Sequence, residues 1–374
     1  MTEYFFVLAR QVEPQPGVIV GPIAWVFGQL INFLFNIVYM IGPAHSLGFA
    51  IILMTIIFRL AMLPLNLKSQ NAMAKMRELK PEVDKINKKY GATKDPELIK
   101  KKNAETQALY AKHGANPLSG CLPMLIQMPM FFGLTFIMRQ AFLYIARLRE
   151  LYYDLSAAII RIPEIMERTV VNGAWDGVLY NLARPLIPDN MYARGEEVYN
   201  LVVNHGWTVE RAINEIGEVI ILEVPEDLSR VINRFTTENW HSLYEHIPSS
   251  YLPGIQEMVA RLREIEMFFG LNLIENGGFG WPVILVPILI AVTMFASTWL
   301  MQLRMNDPNA DDRTKMMQKI MLFVMPIMMA VFTVNFPIGV GLFWIVSQLC
   351  QLVTDFVLIK KSGTKIRLPF KKAE

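Results

Sequence analysis

Charged residues are scarce in this chain. Asp, Glu, Lys and Arg make up only 18% of its 374 residues, whereas an average soluble domain contains roughly 25%. Hydrophobic residues make up 53%, and the mean hydropathy is +0.31. This composition argues against a soluble domain and is typical of a membrane protein.

Cysteine is almost absent, and so is metal-ligand spacing. Cys121 and Cys350 both lie in apolar runs, so we interpret them as small buried hydrophobic residues and expect no disulfide framework. His241 and His246 lack the i, i+4 spacing of a zinc-binding helix, so we interpret them as surface residues. The sequence therefore predicts no metal and no cofactor.

Long apolar runs, in contrast, are plentiful. A spanning helix needs about 20 apolar residues, because hydrocarbon offers the backbone no hydrogen-bond partners. The last apolar block is too long for one helix, and proline and glycine follow Asn335, which marks a turn. We therefore predict an all-α polytopic membrane protein with five transmembrane helices: 46–67, 117–147, 281–303, 317–335 and 337–359.

The charges are segregated between the loops. Residues 68–116 contain 12 Lys or Arg and 6 acids. The tail 360–374 contains 6 Lys or Arg and 1 acid. Residues 148–280 contain 10 Arg, no Lys and 20 acids. Because cytoplasmic loops carry an excess of Lys and Arg, we predict that 68–116, 304–316 and the tail are cytoplasmic. The N-terminus and the 148–280 segment are then outside.

Two of these segments are predicted to be helical. Residues 68–116 fit a helical hairpin, with Gly91 ending the first arm, Asp95-Pro96-Glu97 starting the second, and Pro81 bending or restarting the first. On composition alone, a solvated loop near anionic lipid fits this segment as well. Residues 148–280 fit a mostly helical extracytoplasmic insertion domain, in which only 218–224 alternate like a strand.

The N-terminal segment 1–45 leaves two alternatives open. Residues 17–41 are apolar enough to span, but Gln29, Asn32 and Asn36 form one polar stripe. Such a stripe suits an amphipathic helix in the outer membrane interface. The other alternative is a sixth span.

Polar residues within the spans mark the candidate site. Arg59 lies eight residues before the predicted end of the first span, Leu67, which is about 12 Å inside the membrane. A charge at that depth is a functional hypothesis by default. Most of the other polar span residues lie in the same cytoplasmic half, which indicates a wet cavity that stops halfway. The candidate groove residues are Arg59, Gln127, Ser297, Trp344, Gln348, Gln351 and Asp355.

Two roles remain open for Arg59. It could face clients in a cationic half-cavity that attracts acidic, polar segments and shortens the dry path across the bilayer. It could instead form a structural ion pair with Asp355, which lies at similar depth.

Three runs of sequence carry a resemblance to a known family. They are IILMTIIFRLAMLPLNL at 51–67, HGANPLSGCLPMLIQMPMFFGL at 113–134 and PIGVGLFWIVSQL at 337–349. These runs resemble the conserved spans of the YidC family of membrane protein insertases, which occurs in bacteria, mitochondria and chloroplasts. The resemblance covers about 46–147 and 281–360.

The resemblance implies an insertase or chaperone of the bacterial plasma membrane that works without ATP. It implies five helices around a hydrophilic groove open to the cytoplasm, with Arg59 and Trp344 in that groove and an interfacial helix at 23–41. Expected partners are newly made membrane proteins and lipids, with the ribosome and the Sec translocon as further candidates. We expect a monomer that binds no nucleic acid directly.

The chain departs from the family pattern at three places, one of which is its short basic tail, so stable ribosome binding through the tail does not follow from the resemblance. Ser297 stands where the family has a glutamine, and the loop between the second and third spans, normally short, carries 148–280. The chain also lacks the large periplasmic domain of Gram-negative members, so it resembles the Gram-positive type.

Two other functions compete with this one. A secondary transporter or channel for a small solute would favour internal symmetry and end-to-end polar lining, which the sequence lacks. An intramembrane protease needs a nucleophile with a base or paired aspartates. Asp355 is the only acid in the predicted spans, and no predicted span contains histidine. We therefore predict that the chain is not an enzyme.

Overall fold

The computed structural model defines helices over most of the chain. It describes residues 20–91, 95–114, 122–167, 169–171, 174–187, 197–198, 200–201, 205–206, 215, 222, 224–305 and 312–362. Within these ranges the main helices are α1 (Val20–Ile41), α2 (Ser46–Glu78), α3 (Lys80–Tyr90), α4 (Pro96–Lys112), α5 (Leu122–Arg139), α6 (Ala141–Tyr144), α7 (Ala146–Ile160), α8 (Pro163–Met166), α9 (Val178–Ala183), α10 (Pro225–Ile232), α11 (Thr237–Tyr244), α12 (Leu252–Glu266), α13 (Leu285–Met305), α14 (Asp312–Lys319), α15 (Met325–Thr333) and α16 (Ile338–Ser362).

Five helical stretches among the described residues are long and apolar enough to cross a membrane: Gly21–Ile41, Ser46–Ala72, Leu285–Leu303, Met316–Thr333 and Ile338–Lys360. In an 18-residue apolar segment of each stretch, only 22% to 39% is buried inside the protein. Large apolar side chains therefore stay at the surface, as Trp25, Leu60 and Ile327 do at 64%, 62% and 63% exposure. Such surfaces would be costly in water and suit contact with lipid. The all-α polytopic fold class is confirmed.

Four of these stretches coincide with the predicted spans that begin at 46, 281, 317 and 337. The fifth is Gly21–Ile41, the segment for which the sequence left an interfacial helix and a sixth span open. In the predicted span 117–147, α5 has 18 residues with Pro129 inside it, a length of about 27 Å. That length is close to the ~30 Å hydrocarbon core.

The polar stripe of α1 has a packing role that the sequence did not suggest. The side-chain oxygen of Asn32 accepts a hydrogen bond of 3.0 Å from the backbone N–H of Ala146. Ala146 is the first residue of α7, whose first N–H groups have no partner within the helix. Asn32 therefore satisfies one of these donors.

In the hairpin region the helices begin and end where the sequence predicts. α2 runs on to Glu78, and α3 begins at Lys80 with Pro81 in its first turn. Gly91, at φ 58°, ends α3, and the carboxylate of Asp95 accepts a 2.9 Å hydrogen bond from the N–H of Glu97 at the start of α4. Lys89 of α3 and Glu105 of α4 form an exposed ion pair of 2.9 Å. This contact raises the pKa of Lys89 and lowers that of Glu105.

The last apolar block divides where the turn was predicted. α15 ends at Thr333 and α16 begins at Ile338. Upstream, a π-helical turn at Ile320–Val324 lies directly before α15, which has Pro326 in its first turn. A proline ring crowds the carbonyl of the preceding helical turn, and the wider π-turn lies where that crowding occurs.

The chain divides into two compact units. The first comprises Met1–Ala50, Gly133–Asn276 and Pro337–Gly339, and the second comprises Ile51–Phe132, Gly277–Phe336 and Val340–Glu374. In the first, α7 packs on α10 and α12, and the hydroxyls of Ser156 and Ser229 are 2.9 Å apart between α7 and α10. The buried residues at these helices include Leu155, Ile159, Leu228, Ile232, Val259 and Leu262.

Two short antiparallel hairpins were not predicted. One pairs β1 (Thr169–Val171) with β2 (Ala174–Asp176), and the other pairs β3 (Met267–Phe268) with β4 (Leu271–Asn272). Strands of two or three residues are too short to produce a visible alternation. The predicted alternating segment 218–224 lies mostly outside the described residues, as does Cys121. His241 and His246 are exposed, as predicted, whereas Cys350 is only half-buried.

Candidate functional site

All seven candidate groove residues belong to the second unit, and four of them lie on α16. Trp344, Gln348, Gln351 and Asp355 recur at i, i+4, i+7 and i+11, so they share one face of the helix. The distance from Trp344 to Asp355 along the axis is about 16 Å. One face of α16 therefore changes from aromatic at Trp344 to acidic at Asp355.

A hydrogen bond links this face to α13. Ser297 is 6% exposed, and its hydroxyl donates to the side-chain oxygen of Gln348 at 2.8 Å. A close approach of the same two helices occurs at Gly341, where a Cβ atom would lie 2.6 Å from a methyl carbon of Val286. The missing side chain at Gly341 thus lets α13 and α16 come together.

Asp355 is the most deeply buried charged group of the set, at 1% exposure. Its carboxylate accepts hydrogen bonds from the side-chain amides of Gln351 at 3.0 Å and Gln70 at 3.4 Å. Gln70 was not among the candidate residues, because it lies beyond the predicted end of the first span. The extension of α2 past Leu67 places it beside Asp355.

Arg59 is half-buried on α2, and its Nε–H is enclosed without a hydrogen-bond partner among the residues that the structure describes. Within the described part of the chain, no ion pair joins Arg59 to Asp355. The structural ion pair that the sequence left open is therefore not formed. A buried donor without a partner lowers the free energy of unfolding by about 1–3 kcal/mol. Such a loss at Arg59 indicates a functional role.

Trp344 lies in an aromatic cluster. Its ring centroid is 5.3 Å from that of Phe131 with the planes at 79°, and Phe131 is 5.0 Å from Phe336. Phe332 completes the cluster, 4.8 Å from Phe336. The indole N–H of Trp344 is buried and finds no partner in the part of the chain that the structure describes. The sequence did not single out the three phenylalanines, because aromatic residues are common throughout its apolar runs.

Gln127 is half-buried on α5. Among the described residues, no hydrogen bond joins it to the other six candidates. The site thus consists of a hydrogen-bonded polar set (Ser297, Gln348, Gln351, Asp355 and Gln70), an aromatic cluster around Trp344, and two polar side chains, Arg59 and Gln127, that are not bonded to either.

A family model described as 60Kd inner membrane protein matches residues 39–171 and 240–365, which is more than half of the chain. All seven candidate residues lie inside these ranges. The match also includes 148–171 and 240–280, so the part of the predicted insertion without a counterpart in the family narrows to 172–239.

Curated relatives are similar over parts of the chain. A membrane protein insertase YidC of Phocaeicola vulgatus is 44% identical over 119 residues, which are 32% of this chain and 18% of the relative. A membrane protein insertase YidC 1 of Bacillus cereus is 44% identical over 28% of this chain and 40% of its own length. A membrane protein insertase MisCA of Bacillus subtilis is 48% identical over 23% of this chain and 33% of its own length. The matched residues thus span well under half the length of each relative.

Proposed function

The chain belongs to the 60Kd inner membrane protein family, and from this premise we propose that it is a membrane protein insertase. It receives hydrophobic client proteins from the cytoplasm and passes them into the bilayer without ATP or covalent chemistry. Relatives that match parts of the chain are named membrane protein insertases, which supports the proposal. The chain is a multi-pass membrane protein.

The burial of the Nε–H of Arg59 is the observation that supports the mechanism most directly. This Nε–H is enclosed on an apolar helix, and no side chain in the described part of the protein satisfies this desolvated donor. Water or an acidic client group that enters beside Arg59 would satisfy this donor and recover the cost. We therefore assign Arg59 to the client rather than to internal packing.

The polar set on α13 and α16 provides a hydrated route to Arg59. Ser297, Gln348 and Gln351 offer side chains that exchange hydrogen bonds easily with water or with a client's backbone. Asp355 is held by two amides, so it tunes the positive charge of the groove without neutralising Arg59. The aromatic cluster around Trp344 limits the wet region at the other end of α16. A client's polar tail then crosses a shorter dry distance than the full ~30 Å of hydrocarbon.

In the proposed orientation the N-terminus and the 148–280 segment lie outside. The α3–α4 hairpin and the basic tail lie in the cytoplasm, as their excess of Lys and Arg favours. The hairpin is exposed to arriving clients and to the ribosome, and the protein acts as a monomer, alone or beside the Sec translocon. Helix α1 lies in the outer interface.

The test replaces Arg59 in cells depleted of their own insertase. The client carries an acidic translocated tail, and its insertion is measured by protease protection of that tail. We expect Arg59→Ala to reduce the insertion rate about tenfold, equivalent to ~1.4 kcal/mol, and Arg59→Lys to reduce it less. Leu60→Ala is the matched control, because Leu60 is the next residue and is 62% exposed.

Equal insertion of this client by the wild type and by Arg59→Ala, at equal protein levels, would remove Arg59 from the mechanism. A second client with an uncharged tail separates charge attraction from a general loss of function. We expect Arg59→Ala to impair the uncharged client less than the acidic one.

A further inference from the structure

A cavity of about 720 Å³ lies within the first unit, and none of the seven groove residues lines it. Side chains from the end of α5, from α7, from the turn after α10 and from α12 with the strand that follows it line the cavity. Its volume is in the range of small-molecule sites, which are usually about 300–1,000 Å³. The proposed insertase function does not use it.

Three arginines and two acids line this cavity. Arg263 faces two acids, Glu266 and Glu275, and interacts electrostatically with both. Arg139 and Arg234 also line the cavity and lie near enough to each other to interact. Among the described residues neither has an acidic partner. One Nη–H of Arg234 donates to the carbonyl of Leu186 at 2.8 Å. The planar guanidinium group of arginine can donate two hydrogen bonds at once to a carboxylate or phosphate, so two arginines at one cavity favour an anion there.

The cavity also contains polar atoms that lack partners. Asn233 is only 7% exposed. Within the described ranges, its side-chain oxygen and the buried side-chain oxygen of Gln140 have no hydrogen-bond partner. Both residues line the cavity. Buried polar atoms are normally hydrogen-bonded, and these two oxygens are acceptors, so they need N–H or O–H donors from whatever fills the cavity.

Glu266 adds a third acceptor. It is 4% exposed and accepts a hydrogen bond of 2.5 Å from the hydroxyl of Tyr152. The cavity thus combines two cations, which have no acidic partner among the described residues, with amide and carboxyl oxygens that can accept further donors. An inorganic anion would satisfy only the cations, and an amine would satisfy only the oxygens.

We propose that this cavity binds a small zwitterion in which an anionic phosphate or carboxylate is joined to a primary ammonium group. The anion lies between Arg139 and Arg234, and the ammonium donates hydrogen bonds to oxygens such as those of Asn233 and Gln140. The same chemistry occurs in free glycerophosphoethanolamine and in the headgroup of phosphatidylethanolamine, so the ligand is either a soluble molecule or a lipid.

The first arm of the test uses the soluble probe. The full chain is held in nanodiscs of phosphatidylcholine, and glycerophosphoethanolamine is titrated by calorimetry, with glycerophosphocholine as the matched ligand. The choline group has the same charge but no N–H donors, so we expect it to bind about tenfold more weakly. Arg139→Gln should weaken the binding of glycerophosphoethanolamine by a similar factor. Arg261→Gln, on the exposed side of α12, should leave it unchanged.

The second arm tests the lipid. Nanodiscs contain a mixture of phosphatidylethanolamine and phosphatidylcholine, and native mass spectrometry counts the lipids retained by the released protein. Preferential retention of phosphatidylethanolamine that is lost in Arg139→Gln identifies the lipid as the source. Binding in the first arm alone identifies a soluble ligand.

Asn233→Leu provides an independent check, because it removes an acceptor and keeps both arginines. It should weaken binding of glycerophosphoethanolamine and leave that of glycerophosphocholine unchanged. Failure of both probes to bind in either arm would overturn the proposal, and so would binding that Arg139→Gln leaves intact. Neither result bears on the groove around Arg59, which belongs to the other unit.

Discussion

Unsatisfied and buried polar groups are the most informative residues in this protein. Arg59 could be singled out from the sequence, because a cation within an apolar run is conspicuous and its depth can be counted. Its lack of an ion pair with Asp355 could not be predicted, since both residues lie at similar depth and only side-chain placement decides between pairing and separation. Glu266 cannot be singled out from the sequence, because acids are abundant between 148 and 280.

Glu266 shows what burial does to a carboxyl group outside the spans. Burial raises its pKa from 4.5 to about 7, although the hydrogen bond from Tyr152 acts in the opposite direction. Between these values the folded protein binds more protons than the unfolded chain, so its stability falls as the pH rises from about 4.5 to 7. Above pH 7 the group costs about 3 kcal/mol of stability.

We therefore predict that Glu266→Gln raises the Tm at pH 8, because the amide keeps an acceptor for Tyr152 and carries no buried charge. The gain should shrink as the pH is lowered towards 5. Thermal unfolding of the full chain in detergent at several pH values measures this difference. Glu257→Gln, an exposed position on the same helix, is the control, and equal pH profiles for Glu266→Gln and the wild type would refute the prediction.

At the level of helices, the sequence predicts helix ends better than it predicts contacts between distant residues. Pro81, Gly91 and Asp95 act where the sequence placed them, because caps and proline breaks depend on neighbours within a few residues. The polar stripe of α1 is evident in the sequence, but the hydrogen bond from Ala146 to Asn32 cannot be predicted, because it joins residues far apart in the chain. The short strands β1 to β4 were missed for lack of length.

The contact between α13 and α16 provides a prediction at this scale. A Cβ atom at Gly341 would lie 2.6 Å from Val286, and valine cannot easily rotate away because it is β-branched. We expect Gly341→Ala to lower the unfolding free energy by about 1–3 kcal/mol and to strain the bond between Ser297 and Gln348. Thermal unfolding in detergent measures the loss.

Val286→Ala should rescue Gly341→Ala, because it removes the methyl group that clashes. The control is Gly254→Ala on α12, where an added Cβ meets nothing within 4 Å. It should be neutral or slightly stabilising. If Gly341→Ala were as stable as the wild type, the close packing of these two helices at Gly341 would be wrong.

For the whole molecule, composition and charge segregation predicted more than any single motif. The apolar runs identified the spans. A membrane helix must satisfy its backbone hydrogen bonds internally, so each span appears in the sequence as one long apolar run. The cavity of the first unit could not be predicted, since its walls come from helices separated by more than a hundred residues. The part of the insertion that has no counterpart in the family, 172–239, could be identified only by comparison with the family model.

The proposed insertion mechanism requires that water from the cytoplasm reaches the groove beside Arg59. In a chain with Cys121→Ser and Cys350→Ser, single cysteines at Gln351 and at Val353 report on the two faces of α16. Val353 is 65% exposed on the apolar face, so it is the matched lipid-facing control. A maleimide reacts with the thiolate, which forms in water and hardly at all in hydrocarbon.

The measurement is the rate of maleimide labelling of these two cysteines in vesicles with the cytoplasmic face outward. If the groove is hydrated, Gln351→Cys should react at least about tenfold faster than Val353→Cys, and the same reagent added from the other face should label neither quickly. Equal, slow labelling of both positions from the cytoplasmic face would mean that Arg59 lies in dry packing, and the insertion mechanism proposed for it would be wrong.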